Sequence, residues 1–155
     1  MGLRGRVRLL GYARNPFAIL GRADMFVSPS HCEGFPHALA EAMVLGIPVV
    51  STDCPSGPAE LLDGVEAVGF EGVHWGKFGL LTPVGRPDLL ARGIETMSNA
   101  TTRSHYSEMA RLRMNDFHIG AITAQYWEVF RDAVMTGFSA PKANQSALPR
   151  TWQGR

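Results

Sequence analysis

The residues whose types and spacing suit chemistry lie in the stretch Ser28-Pro29-Ser30-His31-Cys32-Glu33-Gly34-Phe35-Pro36-His37-Ala38-Leu39-Ala40-Glu41. It reads as the end of a strand that runs through a loop into a helix, the place where open α/β sheets bind ligands. Glu33 falls in the loop and Glu41 about one and a half turns into the helix, so both carboxylates are expected to face one crevice on the order of 10 Å apart. Acids at that separation suit two hydroxyl-bearing groups of one elongated ligand. Between them the backbone N–H groups of Gly34, Phe35, His37 and Ala38 sit at or near a helix start, where free donors and partial positive charge attract phosphate. Sugar, phosphate and ribose bound in sequence would fit. Two glutamates eight residues apart also occur on ordinary surfaces, and a solvated Glu33 with a helix-surface Glu41 is the competing reading.

The elements that must hold this stretch are short β-rich runs alternating with helical segments, the pattern of a parallel sheet covered by helices. Strands are expected at Val7–Leu10, Met25–Ser28, Val49–Thr52 and Gly79–Thr82. Asn15-Pro16 opens a helix through Ala23, with Asn as cap and Pro in the first turn. Pro36 starts a second helix to Leu45, which Gly46 ends before Pro48. A third begins near Pro58 and stops by Gly64, and residues 65–77 read as an irregular loop containing Trp75. Pro87 opens a helix to about Ser98, after which the chain is helical. Ile119, Ile122, Tyr126, Phe130 and Val134 recur at three- and four-residue steps as one apolar stripe. The last twenty residues, 136–155, rich in Ser, Ala, Pro, Gln and Asn, are expected to be disordered.

Composition narrows the function further. With 15 Lys and Arg against 14 Asp and Glu, the net charge of +1 supplies no field for gathering nucleic acid or an anionic membrane. No apolar run approaches the roughly 20 residues of a membrane span, and the amino end has no secretory pattern. The two cysteines, Cys32 and Cys54, lack C-x-x-C spacing. We read them as reduced thiols of a cytoplasmic chain. His31, Cys32 and His37 lack a second ligand pair, so no metal is expected. Glu60 reads as a helix-dipole residue after Gly57-Pro58, Asp24 as a turn residue, Trp75 and Trp127 as packing or interface residues, and Met97, Met109 and Met114 as core filling. Nothing singles out His31 or His37 as a base.

The run Val7 to Pro87 resembles the carboxyl-terminal nucleotide-sugar-binding domain of family 4 (group 1) glycosyltransferases, which have the GT-B fold. The landmarks are Leu10-Gly11, Asn15-Pro16-Phe17, Ala23 to Ser30, Glu33-Gly34-Phe35-Pro36 through Glu41-Ala42-Met43, Gly46-Ile47-Pro48-Val49-Val50 and Gly79 to Gly85. The order and spacing of these landmarks carry the likeness, and Ser51 to Glu60 is similar to the bacterial branch acting on lipopolysaccharide, capsule and related glycans. The resemblance implies an α/β, Rossmann-like partial domain: a short parallel sheet of about four strands flanked by helices, with further helices at the carboxyl end. Residues 1–135 would be a truncated donor-binding domain. Glu33 would be the catalytic glutamate, contacting donor-sugar hydroxyls and stabilising charge at the reacting carbon. Glu41 would hold the ribose hydroxyls. Gly34, Phe35 and Pro36 would line sugar and pyrophosphate, backbone donors of Ala38 and Leu39 would approach the phosphates, and the loop from Tyr12 to Asn15 would lie near the base. Such enzymes retain anomeric configuration, in general need no metal, and most often use uridine diphosphate (UDP) sugars.

The likeness also sets expectations about what accompanies this stretch. In the family an amino-terminal domain binds the glycan or lipid-linked acceptor, and an Arg/Lys pair stabilises the leaving pyrophosphate. With neither in this sequence, the 155-residue chain is expected to transfer sugar weakly or not at all. A sheet edge left uncovered would favour a homodimer or a partner chain. The alternative function is a non-catalytic nucleotide-sugar-binding or assembly module that acts with another chain.

Overall fold

A computed structural model describes residues 2–66 and 69–135, and the tail from 136 onward lies outside the described residues. Packing divides the chain into two units, with the break between Asp116 and Phe117.

The first unit runs α1 (Pro16–Leu20), β1 (Phe26–Ser28), α2 (His37–Val44), β2 (Val49–Thr52), α3 (Pro58–Leu62), β3 (His74–Trp75), β4 (Leu80–Thr82), α4 (Pro87–Met97) and α5 (Ala100–Met114). The strand order is β1-β2-β4-β3. Strands β1, β2 and β4 are parallel, with Val27 opposite Val50 and Val50 opposite Leu80. Parallel neighbours cannot be joined by a tight turn, and α2 and α3 occupy the two crossovers. β2 is buried at all four positions, as a central strand covered on both faces must be. Its Val50 joins Leu80, Met97 and Tyr106 in the core, with Met25, Val27, Leu90 and Met109 packed against them. Helix α4 comes close to this core because it carries Gly93: a Cβ there would stand 2.9 Å from Val50 Cγ1.

Polar side chains fix the ends of these elements. The Asn15 side chain accepts from Ala18 N–H at 3.2 Å and caps α1. Asn99 caps α5 by accepting from Thr101 and Thr102. From α5, Ser107 Oγ donates to Gly46 O at 2.6 Å, and Arg111 spans from Ser107 Oγ to Leu45 O at the end of α2. Arg113 does the same for α3, donating to Glu60 O at 2.7 Å and Leu61 O at 3.2 Å, while it also pairs with Asp116. The rear ends of α2 and α3 are thus held by one helix. A buried Tyr106 hydroxyl donates to Gly76 O at 3.0 Å, and burial, followed by the charge of Asp63, pushes its phenol up to about 12.

Three expectations are corrected. Val7–Leu10 forms no strand; these residues are exposed and join no ladder, because a β-rich run becomes a strand only where another strand supplies its hydrogen bonds. Residues 65–77 are not wholly irregular: His74–Trp75 pair antiparallel with β4, so the four-stranded sheet is mixed rather than parallel. Asp63 secures that edge, accepting from Lys77 N–H at 3.1 Å and meeting His74 Nε2 at 2.8 Å, and the Phe70 ring stacks on His74 at 3.7 Å. Finally, α1 stops at Leu20, where Gly21 N–H closes on Phe17 O, instead of reaching Ala23.

The second unit is described from Phe117 through the helix α6 (Ile119–Met135). The apolar stripe is formed as expected, and Ile119, Tyr126, Phe130 and Val134 on it are exposed. Trp127 lies edge-on to Phe130, 6.4 Å between ring centres. Glu128 and Arg131 pair on its polar side. Among the described residues, no helix is long and apolar enough to cross a membrane.

Candidate functional site

The loop from Pro29 to Pro36 leaves the carboxyl end of β1 and enters α2, and it is tied to the loop that leaves β2. Glu33 N–H donates to Pro55 O at 2.9 Å, and Ser56 N–H donates to Glu33 O at 3.0 Å. Ser56 Oγ donates to Gly34 O at 3.1 Å. Thr52 Oγ1, at the last position of β2, donates to Ser30 O. Gly57 completes the junction with φ of +101°, and a Cβ on it would meet Pro36 Cδ at 2.5 Å. Only glycine fits there, since both the backbone angle and the space exclude a side chain.

The Glu33 side chain is half-buried and accepts a hydrogen bond from Ser30 Oγ at 2.6 Å on Oε1. Glu41 sits four residues into α2, exposed, and among the described residues its carboxylate makes no side-chain hydrogen bond. Pro36 occupies the cap position of α2 and has no side-chain oxygen to cap its first N–H groups. Ala38 is exposed in the first turn of α2, whereas His37 N–H donates to Phe35 O and Leu39 is fully buried with its N–H donating to Pro36 O. Gly34 is exposed, and Phe35 lies on the rim with its ring edge toward His37, 5.0 Å between centres. Tyr12 stands in the exposed amino-terminal segment outside this bonded network, and Asn15 uses its carboxamide oxygen to cap α1. Cys54 is buried below the loop pair. Burial pushes its thiol up against the lowering effect of a bond with Thr52, and the nearby Glu33 charge adds to the rise. A raised pKa keeps Cys54 a thiol rather than a nucleophile.

A cavity of ≈260 Å³ opens at the carboxyl ends of β1, β2 and β4, lined by Pro29, His31, Thr52, Gly85, Arg86, Pro87 and Leu90. Sequence reasoning attached no role to Arg86 or Thr52. Arg86 grips Asp88 through two bonds of 2.9 and 2.7 Å, and its guanidinium holds that carboxyl below the usual range. Ser30 lay in the stretch singled out but carried no role of its own, and Thr52, Pro55 and Ser56 had none either, because what joins them is contact between two loops over twenty residues apart. The hints were the Gly57-Pro58 pair and the family-like run Ser51 to Glu60, which contains Thr52, Pro55 and Ser56. Glu60 lies in the first turn of α3 as expected of a dipole residue. Among the described residues no cluster of three His, Cys, Asp or Glu is arranged to hold a metal ion.

A mixed sheet with three parallel strands, a cavity at their carboxyl ends and helices in the crossovers describe an open α/β domain of the kind that binds ligands at its strand ends. The chain belongs to the glycosyl transferases group 1 family, whose model matches residues 1–99. It is 39% identical over 84 residues to an uncharacterized glycosyltransferase of Methanocaldococcus jannaschii, covering 53% of this chain and 21% of that protein. It is 30% identical over 118 residues to the N-acetylgalactosamine-N,N'-diacetylbacillosaminyl-diphospho-undecaprenol 4-alpha-N-acetylgalactosaminyltransferase of Campylobacter jejuni, covering 76% of this chain and 29% of that one. Among solved structures, a point mutant of Staphylococcus aureus TarM in complex with fondaparinux, alpha-GlcNAc-glycerol and UDP superposes with a TM-score of 0.67. The match covers 83% of this chain and 24% of TarM at 23% identity, a likeness of fold. The α/β architecture is that of part of a GT-B glycosyltransferase, and the chain spans between a fifth and a third of the length of these relatives.

Proposed function

We propose that the chain is the donor-binding part of a retaining glycosyltransferase that takes a nucleotide-activated sugar, a UDP-sugar in the first instance, for glycan biosynthesis. The observation that carries this reading is the coupling of Glu33 to a loop junction beside the uncapped start of α2, with Glu41 free one turn further along. Glu33, held by its backbone and one carboxylate oxygen, presents the other oxygen to donor-sugar hydroxyls and to the positive charge that builds on the reacting carbon as the leaving group departs. The Ala38 N–H in the first turn of α2 receives the pyrophosphate, where the helix dipole favours negative charge. Gly34, Phe35 and Pro36 line the passage between sugar and phosphate. Glu41 accepts from the ribose hydroxyls, and the segment from Tyr12 to Asn15 approaches the base. UDP in the TarM complex supports a uridine donor. The undecaprenol-linked substrate in the name of the Campylobacter jejuni relative supports a lipid-linked acceptor, held by residues outside this chain. Two free thiols, Cys32 exposed and Cys54 buried, support a reducing, cytoplasmic compartment.

Titration of the purified chain with UDP, GDP, ADP and their sugars tests this directly. One nucleoside diphosphate is expected to bind at micromolar to millimolar strength. Glu41→Ala should weaken it about tenfold or more, since a bond to an ionised acceptor is lost, whereas Glu33→Ala should leave the diphosphate bound and weaken only the sugar ester. A folded chain that binds none of them overturns the donor-site reading in favour of an assembly module.

A further inference from the structure

The hydroxyl that reaches Glu33 belongs to a chain with a defined direction. Ser30 Oγ lies 2.6 Å from Glu33 Oε1, and a carboxylate can only accept, so the single Ser30 proton is committed to Glu33. Ser28 Oγ lies 3.3 Å from Ser30 Oγ, and since Ser30 has no second proton, Ser28 is the donor in that pair. The run is therefore Ser28 to Ser30 to Glu33, each bond polarising the next. Its base is fixed by the sheet, for Ser28 ends β1, and Thr52 Oγ1, at the end of the neighbouring β2, donates to Ser30 O. Glu33 is thus restrained at N–H, carbonyl and Oε1, and Oε2 is left as the acceptor that a ligand meets.

We propose that Ser30 is a positioning residue for the sugar half of the donor: by holding Glu33 Oε1 it fixes the direction of Oε2, so that discrimination between a nucleotide sugar and the bare nucleotide depends on the Ser30 hydroxyl. The inference rests on the donor-site reading above. It separates from a structural role of Ser30 because the backbone anchor, Thr52 to Ser30 O, survives removal of the side chain. Ser30→Ala should keep the loop where it is and release only the carboxylate.

The test is a double-mutant cycle on the full chain, with dissociation constants measured by calorimetry for UDP and for UDP-glucose, UDP-galactose and UDP-N-acetylglucosamine, and with the tightest sugar carried forward. In Ser30→Ala the sugar ester is expected to bind about fivefold more weakly, less than for loss of a direct bond to a charged group because the carboxylate is loosened rather than removed, with UDP unchanged within about twofold and the melting temperature retained. In the Glu33→Ala background, adding Ser30→Ala should change neither ligand; with Glu33 intact, Ser30→Thr, which keeps the hydroxyl, should bind the sugar ester as the wild type does. Unchanged sugar affinity in Ser30→Ala, equal losses for UDP and its sugar, or a loss that persists without Glu33 overturns the inference while leaving the donor site standing. A wild-type chain that binds neither ligand overturns the donor site itself, and the role of Ser30 with it.

Discussion

Gly57 is the residue on which the two site loops depend, and nothing about its own chemistry announces this. Its φ of +101° and the 2.5 Å from its missing Cβ to Pro36 Cδ mean that any side chain must either strain the backbone or push Pro36, and with it the start of α2, away. Gly57→Ala is expected to lower unfolding free energy by about 1–3 kcal/mol, the range for overpacking and a forced positive φ, measurable by urea denaturation. The same variant should weaken nucleotide binding, since Pro36 precedes the helix head. Asp63 carries a separate consequence for pH. Burial raises its carboxyl, but the bonds from His74 and Lys77 N–H outweigh burial and hold it below its ordinary value of 3.8. A folded-state pKa below the unfolded one means the unfolded chain binds more protons, so this contribution is complete above about 3.8 and is lost as pH falls through the lower folded value. Melting temperatures between pH 5 and pH 3 should fall less steeply in Asp63→Asn than in the wild type. Glu33, Glu41 and Gly34 were legible as site candidates because residue type and spacing are local properties; Ser30 and Thr52 were not, because a hydroxyl shows its purpose only through the partner the fold brings to it.

Helix α5 does more for the elements around it than its sequence suggests. Arg113 donates to the last carbonyls of α3, pairs with Asp116 at 2.8 Å and lies 5.1 Å from the centre of the Phe78 ring. Helix carbonyls without an intrahelical partner need such donors. Arg113→Ala should cost about 1–3 kcal/mol through loss of charged hydrogen bonds and stem packing, read as a lower denaturation midpoint, and Arg113→Lys should recover only part, because an ammonium cannot reproduce the planar fork. The crossover helices and the three parallel strands could be read from the alternation of β-rich runs with Pro-started helices. Val7–Leu10 and His74–Trp75 went the other way for one reason. Strand character in the first has no ladder to join, and a two-residue strand has no periodicity to display; each is decided by neighbours distant in sequence.

At the scale of the whole molecule the break after Asp116 is the governing feature. The first unit contains every buried apolar side chain among the described residues, whereas α6 buries none. A chain ended at Asp116 is therefore expected to unfold cooperatively, with a midpoint within a few degrees of the full chain and the same nucleotide affinity; loss of both would show that the second unit is needed for the first to fold. The fold class and the family were readable at this scale from ordered landmarks, but the division into two units was not, since the stripe on α6 has the same helical period as a core-facing one. The clamp of α5 on α3 also equips the protein with a means of observation. Arg113 Nε–H is fixed 3.2 Å from Leu61 O with its side chain only 18% exposed, so its proton should exchange slowly enough to give a resolved arginine side-chain resonance in nitrogen-15 spectra. That signal, well removed from the crowded amide region, would let ligand arrival at the far end of α3 be followed without placing any label in the site.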